Sequence, residues 1–254
     1  MSLDPRRMKA IIIIPARYRS SRLPGKPLVH LLGISMLRRT VNRCHQAFPP
    51  GCVFVATDDE RIQEHCEQAG IQVVMTSADC LTGTDRVAEV AQHIEADIYI
   101  NVQGDEPVIN PDDIMAVYEA ALAHPGEIIN GMCGVADEGA FRNPSIPKVV
   151  ARPDGRLLYM SRAGVPTSKN LDFETAYRQI CIYSYTKEAL KCFSQYGCKT
   201  PLEAVEDIEI LRFLELGYDV RMVTLSDDSV AVDCPEDIPK AEAAIRSRGL
   251  IDAG

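Results

Sequence analysis

Four short stretches hold the residue types that could do chemistry. Asn101-Val102-Gln103-Gly104-Asp105-Glu106-Pro107 carries an acidic pair out of an apolar run into a Gly-Pro turn. At the carboxyl edge of a strand, where open α/β sheets bind ligands, such carboxylates can hold a metal and a nucleotide; a solvated turn or helix cap uses the same residues. The loop Pro15 to Pro27 follows another apolar run and contains four cations, Arg17, Arg19, Arg22 and Lys26, with Ser20, Ser21 and Gly25. Arginine offers paired donors in fixed geometry, lysine a compact charge and a glycine-bearing loop exposed amides, so this loop has the makings of a triphosphate cradle. Its spacing differs from Gly-x-x-x-x-Gly-Lys-Ser/Thr, which disfavours ordinary P-loop ATPase chemistry, and a solvated basic loop is the plain alternative. In Val232-Asp233-Cys234-Pro235-Glu236-Asp237, Asp233 is either a ligand or an N-cap with Pro235 in the first turn. Thr82-Gly83-Thr84-Asp85-Arg86 opens a helix, where Gly83 permits close approach of a ligand and a Thr/Asp cap is the competing assignment.

These stretches need elements to aim them. Apolar periodicity predicts strands at Lys9 to Ile14, Cys52 to Ala56, Ile71 to Met75 and Asp97 to Val102, alternating with helices at Ser35 to Ala47, Asp59 to Ala69 and Asp85 to Ile94. That alternation is the βαβ signature of a parallel sheet, and continuous apolar strands such as Ile11 to Ile14 imply a sheet covered on both faces. A helix at Pro111 to Ala123 and a strand at Ile128 to Met132 follow. Between about Ala140 and Thr200 the pattern is irregular and reads as an inserted smaller sheet or cap over the site. A helix at Val205 to Leu216, strands at Val220 to Leu225 and Val230 to Val232, and a helix at Pro235 to Arg246 complete the chain, which reads as one α/β domain over residues 1–254.

The 36 acidic and 27 basic residues leave a net charge of −9, which excludes a general nucleic-acid surface; phosphate must be met by a few placed cations. Nine dispersed cysteines without a Cys-x-x-Cys pair suggest neither a disulfide framework nor a structural zinc, and reduced thiols point to the cytoplasm. The five histidines form no ligand cluster. The apolar run Ala10 to Ile14 is too short to span a membrane, and Met1 to Arg7 reads as a disordered lead.

Taken in order, Ile14-Pro-Ala-Arg-Tyr-x-Ser-Ser-Arg-Leu-Pro-Gly-Lys-Pro27, Thr82-Gly-Thr-Asp-Arg86 and Asn101-Val-Gln-Gly-Asp-Glu-Pro107 resemble the 3-deoxy-manno-octulosonate (Kdo) cytidylyltransferases. Asn143-Pro144, Lys148-Val-Val150, Tyr159-x-Ser-Arg162, Pro201-Leu-Glu203 and Val232-Asp-x-Pro-Glu-Asp237 extend the resemblance over nearly the whole chain. It implies a Rossmann-like nucleotidyltransferase fold and transfer of CMP from CTP to the anomeric hydroxyl of a 3-deoxy-2-ulosonic acid, releasing pyrophosphate, for a bacterial surface polysaccharide or lipopolysaccharide. By the same resemblance Arg17, Lys26 and Asp105 are catalytic, and Asp105 and Asp233 hold Mg²⁺. Ala16, Arg17, Ser21, Lys26, Thr82, Gly83, Thr84, Arg86 and Gln103 meet the nucleotide, and Arg22, Arg162, Gln179, Tyr183, Glu206 and Ile210 meet the sugar. Two carboxylates suit Mg²⁺, a hard ion that keeps several waters. No Ser, Cys or His nucleophile is needed, because phosphoryl transfer rests on positioning and charge stabilisation. Homodimerisation through 140–200 is expected from the family alone.

The sugar end departs from the family pattern. Its usual His-Leu-Gly-Ile-Tyr strand reads Gln179-Ile180-Cys181-Ile182-Tyr183 here, and its Glu-Gln-Leu-Arg reads Glu209-Ile210-Leu211-Arg212. A site that loses a hydrogen-bonding partner changes which hydroxyls it prefers. Two alternatives therefore stand beside Kdo transfer: a cytidylyltransferase for a different acidic acceptor, and a catalytically silent CTP-binding regulatory protein. A glycosyltransferase of related fold is disfavoured, since its Asp-x-Asp metal motif is replaced here by Gly104-Asp105-Glu106.

Overall fold

Ile11 to Ile14 have no polar face, so the strand they form must be covered on both sides, and that requirement sets the architecture. The structure, a computed structural model, describes residues 8–20 and 22–251; the expectations for Met1 to Arg7 and for Ser21 lie outside the described residues. The strands are β1 (Ala10–Pro15), β2 (His30–Leu31), β3 (Ile34–Ser35), β4 (Val53–Thr57), β5 (Val73–Met75), β6 (Ile98–Val102), β7 (Ile128–Gly134), β8 (Lys148–Ala151), β9 (Leu157–Ser161), β10 (Tyr177–Tyr185) and β11 (Val220–Thr224). The helices are α1 (Met36–Ala47), α2 (Glu60–Gln68), α3 (Gly83–His93), α4 (Pro111–Ala123), α5 (Glu138–Arg142), α6 (Lys187–Gln195), α7 (Pro201–Glu206), α8 (Ile210–Glu215) and α9 (Ile238–Ser247).

The main sheet runs β11-β7-β10-β6-β1-β4-β5. β1 is parallel to β4 and β6, β4 to β5, and β7 to β11, while β10 is antiparallel to its neighbours β6 and β7. This is the mostly parallel sheet with flanking helices that the alternation implies. Successive residues of β1 enter opposite layers: Ile12 and Ile14 pack with Leu37 of α1, Ile62 of α2 and Val117 of α4, and Ile11 and Ile13 pack with Val87 of α3, Phe193 of α6 and Phe213 of α8. Side chains of Ser35, Asp59 and Asn110 accept from the first-turn amides of α1, α2 and α4, which fixes where those helices begin. No helix among the described residues is long and apolar enough to cross a membrane.

The segment 140–200 does more than the sequence suggests. Its β8–β9 hairpin hangs from β10, and β10 itself runs inside the main sheet, between β6 and β7. The register of β10 against β7 shifts between Ile180 and Tyr183. Asn130 satisfies the carbonyls freed there, donating to Ile180 O at 3.0 Å and Ile182 O at 2.9 Å, and Gln179 Nε2 donates to Asn130 Oδ1 at 2.9 Å. A bulge of this kind breaks the alternation by which a strand is recognised, so β10 is hidden from periodicity.

Two further elements differ from expectation. The helix predicted at Val205 to Leu216 is two helices, α7 and α8, because Pro201 and the Thr200–Glu203 capping box start one early and Asp207 stops it in the left-handed region at φ 52°. Val230 to Val232 forms no strand; Val232 N–H donates once, to Asp105 O at 3.0 Å.

Arg212 ties the broken helix pair to the rest. Fully buried, it donates from Nε and Nη2 to Glu203 at 2.6 and 2.7 Å and from Nη1 to Asp85 at 3.1 Å, with its guanidinium 3.7 Å from the Phe193 ring centroid. Removing one partner of such a pair strands a buried charge on the other. Arg212→Ala is therefore expected to lower unfolding free energy by ~3–5 kcal/mol in urea denaturation. A loss below about 1 kcal/mol, the value of an ordinary surface pair, would show that Glu203 does not depend on Arg212.

Candidate active site

β1 and β6 are adjacent and parallel, so the loops leaving their carboxyl ends, 16–28 and 103–107, open side by side. With the start of α3, the α7–α8 turn and Asp233 they line a cleft of about 840 Å³, the size of a small-molecule site. The first loop is held in shape by its own residues. Gly25, at φ 69°, donates to Tyr18 O at 3.0 Å, and a Cβ there would lie 3.1 Å from the Tyr18 ring, so glycine meets both a backbone and a packing demand. Arg61 covers the Tyr18 ring at 3.3 Å. Ala16 is buried at the cleft floor, and Arg17, Arg19 and Arg22 stand exposed along its edge.

The acidic residues meet on a cation. Lys26 Nζ lies 2.5 Å from Asp105 Oδ2 and 3.1 Å from Asp233 Oδ1, and Arg22 Nη2 lies 3.2 Å from the same Asp233 oxygen. Burial opposes the charge on Lys26, yet Asp105 and then Asp233 outweigh it and hold the ammonium above the usual lysine range. Asp233 is free for this because the cap falls elsewhere: Asp237 Oδ2 accepts from Asp233 N at 3.1 Å and from Cys234 N at 3.2 Å, and Cys234 is the capping position. Asp233 is therefore not the cap, and its carboxylate is left to pair with Lys26 and Arg22.

Mg²⁺ fits this donor set. Two carboxylates already converge on one positive group, and among the described residues no three His, Cys, Asp or Glu side chains form a fuller cage, which leaves positions for water and phosphate oxygens. Asp105 reaches this point from the turn after β6; Asp233 comes from the loop beyond β11 and not from a strand end.

Glu106 takes no part in the charged cluster. It is buried, Ser229 Oγ donates to its Oε2, and burial, with Asp105 adding, pushes its carboxyl up to about 8. Of the acidic pair, Asp105 faces the cleft and Glu106 anchors the loop that leads to Asp233.

At the expected nucleotide end the structure divides the residues. Thr82, Gly83, Arg86 and Gln103 line the cleft with Ala16, Arg17 and Lys26. Thr82 also caps α3 in a reciprocal box with Asp85, so the competing cap assignment is real. A Cβ on Gly83 would lie 3.2 Å from Pro15 Cγ and 3.3 Å from Gln103 Nε2, which explains a glycine at this close approach. Arg86 is largely spent, donating to Thr76 Oγ1 at 2.7 Å and pairing with Asp58 at 2.9 Å. Thr84 is a correction: it is fully buried and bonds Glu209 at 2.6 Å, so its hydroxyl is not presented to a base.

At the expected sugar end only Arg22 lines the cleft. Gln179 serves Asn130 at the β10 bulge, Tyr183 is buried against Tyr185, and Ile210 is packed in the apolar layer beneath α8. Glu206 accepts from Ser161 Oγ at 2.7 Å and Arg162 N at 2.9 Å. Arg162 donates to three main-chain carbonyls, those of Glu206, Pro144 (2.9 Å) and Asp207 (2.8 Å). None of these five residues lines the cleft.

Sequence reasoning passed over the residues that occupy that side. Lys199, Asp207 and Glu209 line it. Glu209 accepts from Gly83 N at 3.3 Å and Thr84 N at 2.9 Å, placing a carboxylate on the positive end of α3, and burial raises its pKa. The signal was the acidic spacing Glu203, Glu206, Glu209, which an unbroken helix would put on one face; the break at Asp207 sends Glu206 and Glu209 to different places.

Glu106 supplies a pH test. A carboxyl whose native pKa lies above its unfolded value favours the folded state while protonated, and that contribution is lost as pH rises from the ordinary 4.5 toward about 8. Glu106→Gln should therefore gain stability relative to the parent chain between about pH 5 and pH 8, by on the order of a few kcal/mol in urea denaturation. An equal gap at both pH values would mean that Glu106 ionises as an ordinary carboxyl.

Comparison with known proteins agrees with this geometry. Residues 11–222 match the family described as cytidylyltransferase. A protein named 3-deoxy-manno-octulosonate cytidylyltransferase from Protochlamydia amoebophila (strain UWE25) is 40% identical over 91% of this chain and 92% of its own length. One named 8-amino-3,8-dideoxy-manno-octulosonate cytidylyltransferase from Shewanella amazonensis (strain ATCC BAA-1098 / SB2B) is 36% identical over 94% of this chain and 99% of its own. A solved structure described as CMP:2-keto-3-deoxy-manno-octonic acid synthetase complexed with CTP superposes with a TM-score of 0.87 at 35% identity, covering 94% of this chain and 99% of that one. With the cation loop and the facing carboxylates in place, the conclusion is that the chain belongs to the cytidylyltransferase family and is a nucleotidyltransferase.

Proposed function

We propose that this nucleotidyltransferase uses Mg²⁺ to transfer CMP from CTP to the anomeric hydroxyl of a 3-deoxy-2-ulosonic acid, with release of pyrophosphate. The observation that carries the reading is the convergence of Asp105 and Asp233 on Lys26, inside a cleft whose edge is the Arg17 to Lys26 loop. Similarity to proteins named for octulosonate cytidylyl transfer, and to a structure described with CTP, supports the substrates.

Asp105 and Asp233 would hold the metal, which when bound supplies neutralisation of phosphate charge and polarisation of the attacking hydroxyl. The chain's own groups do the rest. Arg17 and Lys26 neutralise the α-phosphate under attack and the departing pyrophosphate; the acceptor hydroxyl loses its proton to solvent as its bond to the α-phosphorus forms, and the bond from that phosphorus to the oxygen shared with the β-phosphate breaks. Gly83 and Gln103, in close approach at the start of α3, give the nucleotide a flat, donor-bearing wall.

A different acidic acceptor is the second reading, and one observation favours it. Gln179 is committed to Asn130 and Ile210 is packed in the core, so neither presents a polar group to an acceptor hydroxyl. Relatives named for both 3-deoxy and 8-amino-3,8-dideoxy octulosonates point the same way: this framework is found with more than one acid. A silent CTP sensor is disfavoured, because two carboxylates aimed at the cradle have no use without transfer chemistry.

The test is pyrophosphate release with CTP, Mg²⁺ and a panel of 2-keto-3-deoxy acids. Turnover with at least one acid is expected, lost on chelation and restored by Mg²⁺; no turnover with any of them removes this reading. Asp105→Asn should lower kcat by roughly 1,000-fold or more in a chain that still folds by circular dichroism, the loss of several kcal/mol of charge stabilisation. A variant within about tenfold of the parent would take Asp105 out of its role.

A further inference from the structure

The acceptor is an acid, and its carboxylate needs a cation. Arg162, the arginine that the resemblance places at the sugar, does not line the cleft, and its Nε, Nη1 and Nη2 each donate to a main-chain carbonyl, those of Glu206, Pro144 and Asp207. Arg86 is engaged by Asp58 and Thr76. In the reading above Arg17 and Lys26 of the loop after β1 meet the triphosphate, and Arg22 is paired with Asp233 at 3.2 Å. On the opposite wall of the cleft, formed by α7 and the turns around it, the remaining lining cation among the described residues is Lys199.

Lys199 is placed with some care. It precedes Thr200, whose capping box with Glu203 fixes the backbone at the start of α7. Its ammonium lies 2.5 Å from Asp207 Oδ1, and Asp207 is turned back toward it by its left-handed backbone at the end of α7. The Asp207 carboxyl is held below the usual range by Lys199 first, with Arg162 and Arg17 adding. An incoming carboxylate beside Lys199 and Arg17 would meet the charges that now surround Asp207. The exchange costs little, since the side chains are 35% and 71% exposed and surface pairs of this kind contribute about 0–1 kcal/mol.

We propose that Lys199 is the residue that binds the acceptor's carboxylate, with Asp207 occupying that position in the unliganded cleft. This rests on the cytidylyltransferase reading above. The acceptor's carboxylate would then sit by Lys199 and Arg17, next to the triphosphate on Arg17 and Lys26, as it must when the carboxylate and the attacking hydroxyl share one carbon.

Steady-state pyrophosphate release with the best acid of the panel tests it. Lys199→Met should raise KM for the acid by ~10-fold or more, as expected for loss of one hydrogen bond to a charged group, while KM for CTP stays within about twofold. Lys199→Arg should restore most of the loss. An amide analogue of the acid should be discriminated against by the parent enzyme, and that discrimination should vanish in Lys199→Met, a coupling that a merely structural role would not produce. An unchanged KM for the acid, a parallel rise in KM for CTP, or undiminished discrimination against the amide in the variant overturns the assignment. No turnover by the parent enzyme removes the cytidylyl-transfer reading and this one with it; turnover by the parent with an unaffected variant removes only the role of Lys199.

Discussion

Two negative side chains, Asp105 and Asp233, are separated by more than a hundred residues of chain and held within reach of a single ammonium. Like charges brought together at a cleft floor repel, so the fold must hold them and supply a counter-charge. Lys26 is the counter-charge, and the hydrogen bond from Val232 N to Asp105 O is the hold. Much of the surrounding structure serves that approach. The Gly25–Tyr18 contact shapes the loop that carries Lys26, Ser229 on Glu106 anchors the strand-to-helix connection, and the Asp237 cap leaves Asp233 free. The same cluster is the brace of the unliganded site and, in the proposed reaction, its chemical centre: a metal ion and a triphosphate would carry the charges that replace Lys26 and the carboxylates as each other's partners.

The opposite wall depends on a different kind of interaction. Arg212 binds Glu203 in α7 and Asp85 in α3, and through them sets α8 against the start of α3. That setting delivers Glu209 to the amides of Gly83 and Thr84. A buried guanidinium of this sort gives little net stability over an apolar core, and its value lies in fixing one arrangement of several elements. Here the fixed arrangement is a short turn, 207–209, whose side chains line the cleft.

How much of this was legible in the sequence can be argued residue by residue. The layers on either side of β1 follow from four consecutive isoleucines, and Ser35, Asp59 and Asn110 announce their helices as caps do in any chain. The first loop, the Gly104-Asp105 turn and Asp233 were readable because their chemistry is concentrated in short stretches. The period of β10 did not mark it, and only the family resemblance made Gln179 to Tyr183 a strand, since the bulge at 181–182 disrupts the alternation and its place between β6 and β7 depends on bonds to residues fifty or eighty positions away. The sugar-end assignments suffered from the same cause: Gln179 and Arg162 are polar residues whose partners, Asn130 and the carbonyls around Glu206, come from other elements.

By itself, then, the sequence determined the types of most elements, the two-sided burial of the sheet, and the inventory of charges available for phosphate and metal, because those follow from local period and residue chemistry. Tertiary structure decided which charges face one another. It set Asp105 against Asp233 and left Glu106 beneath them, spent Arg162 on carbonyls, and turned Lys199 and Glu209 into the cleft. The physical reason is that a side chain's direction and its free donors depend on backbone breaks such as the left-handed Asp207, and on hydrogen bonds closed over long separations, neither of which local spacing records.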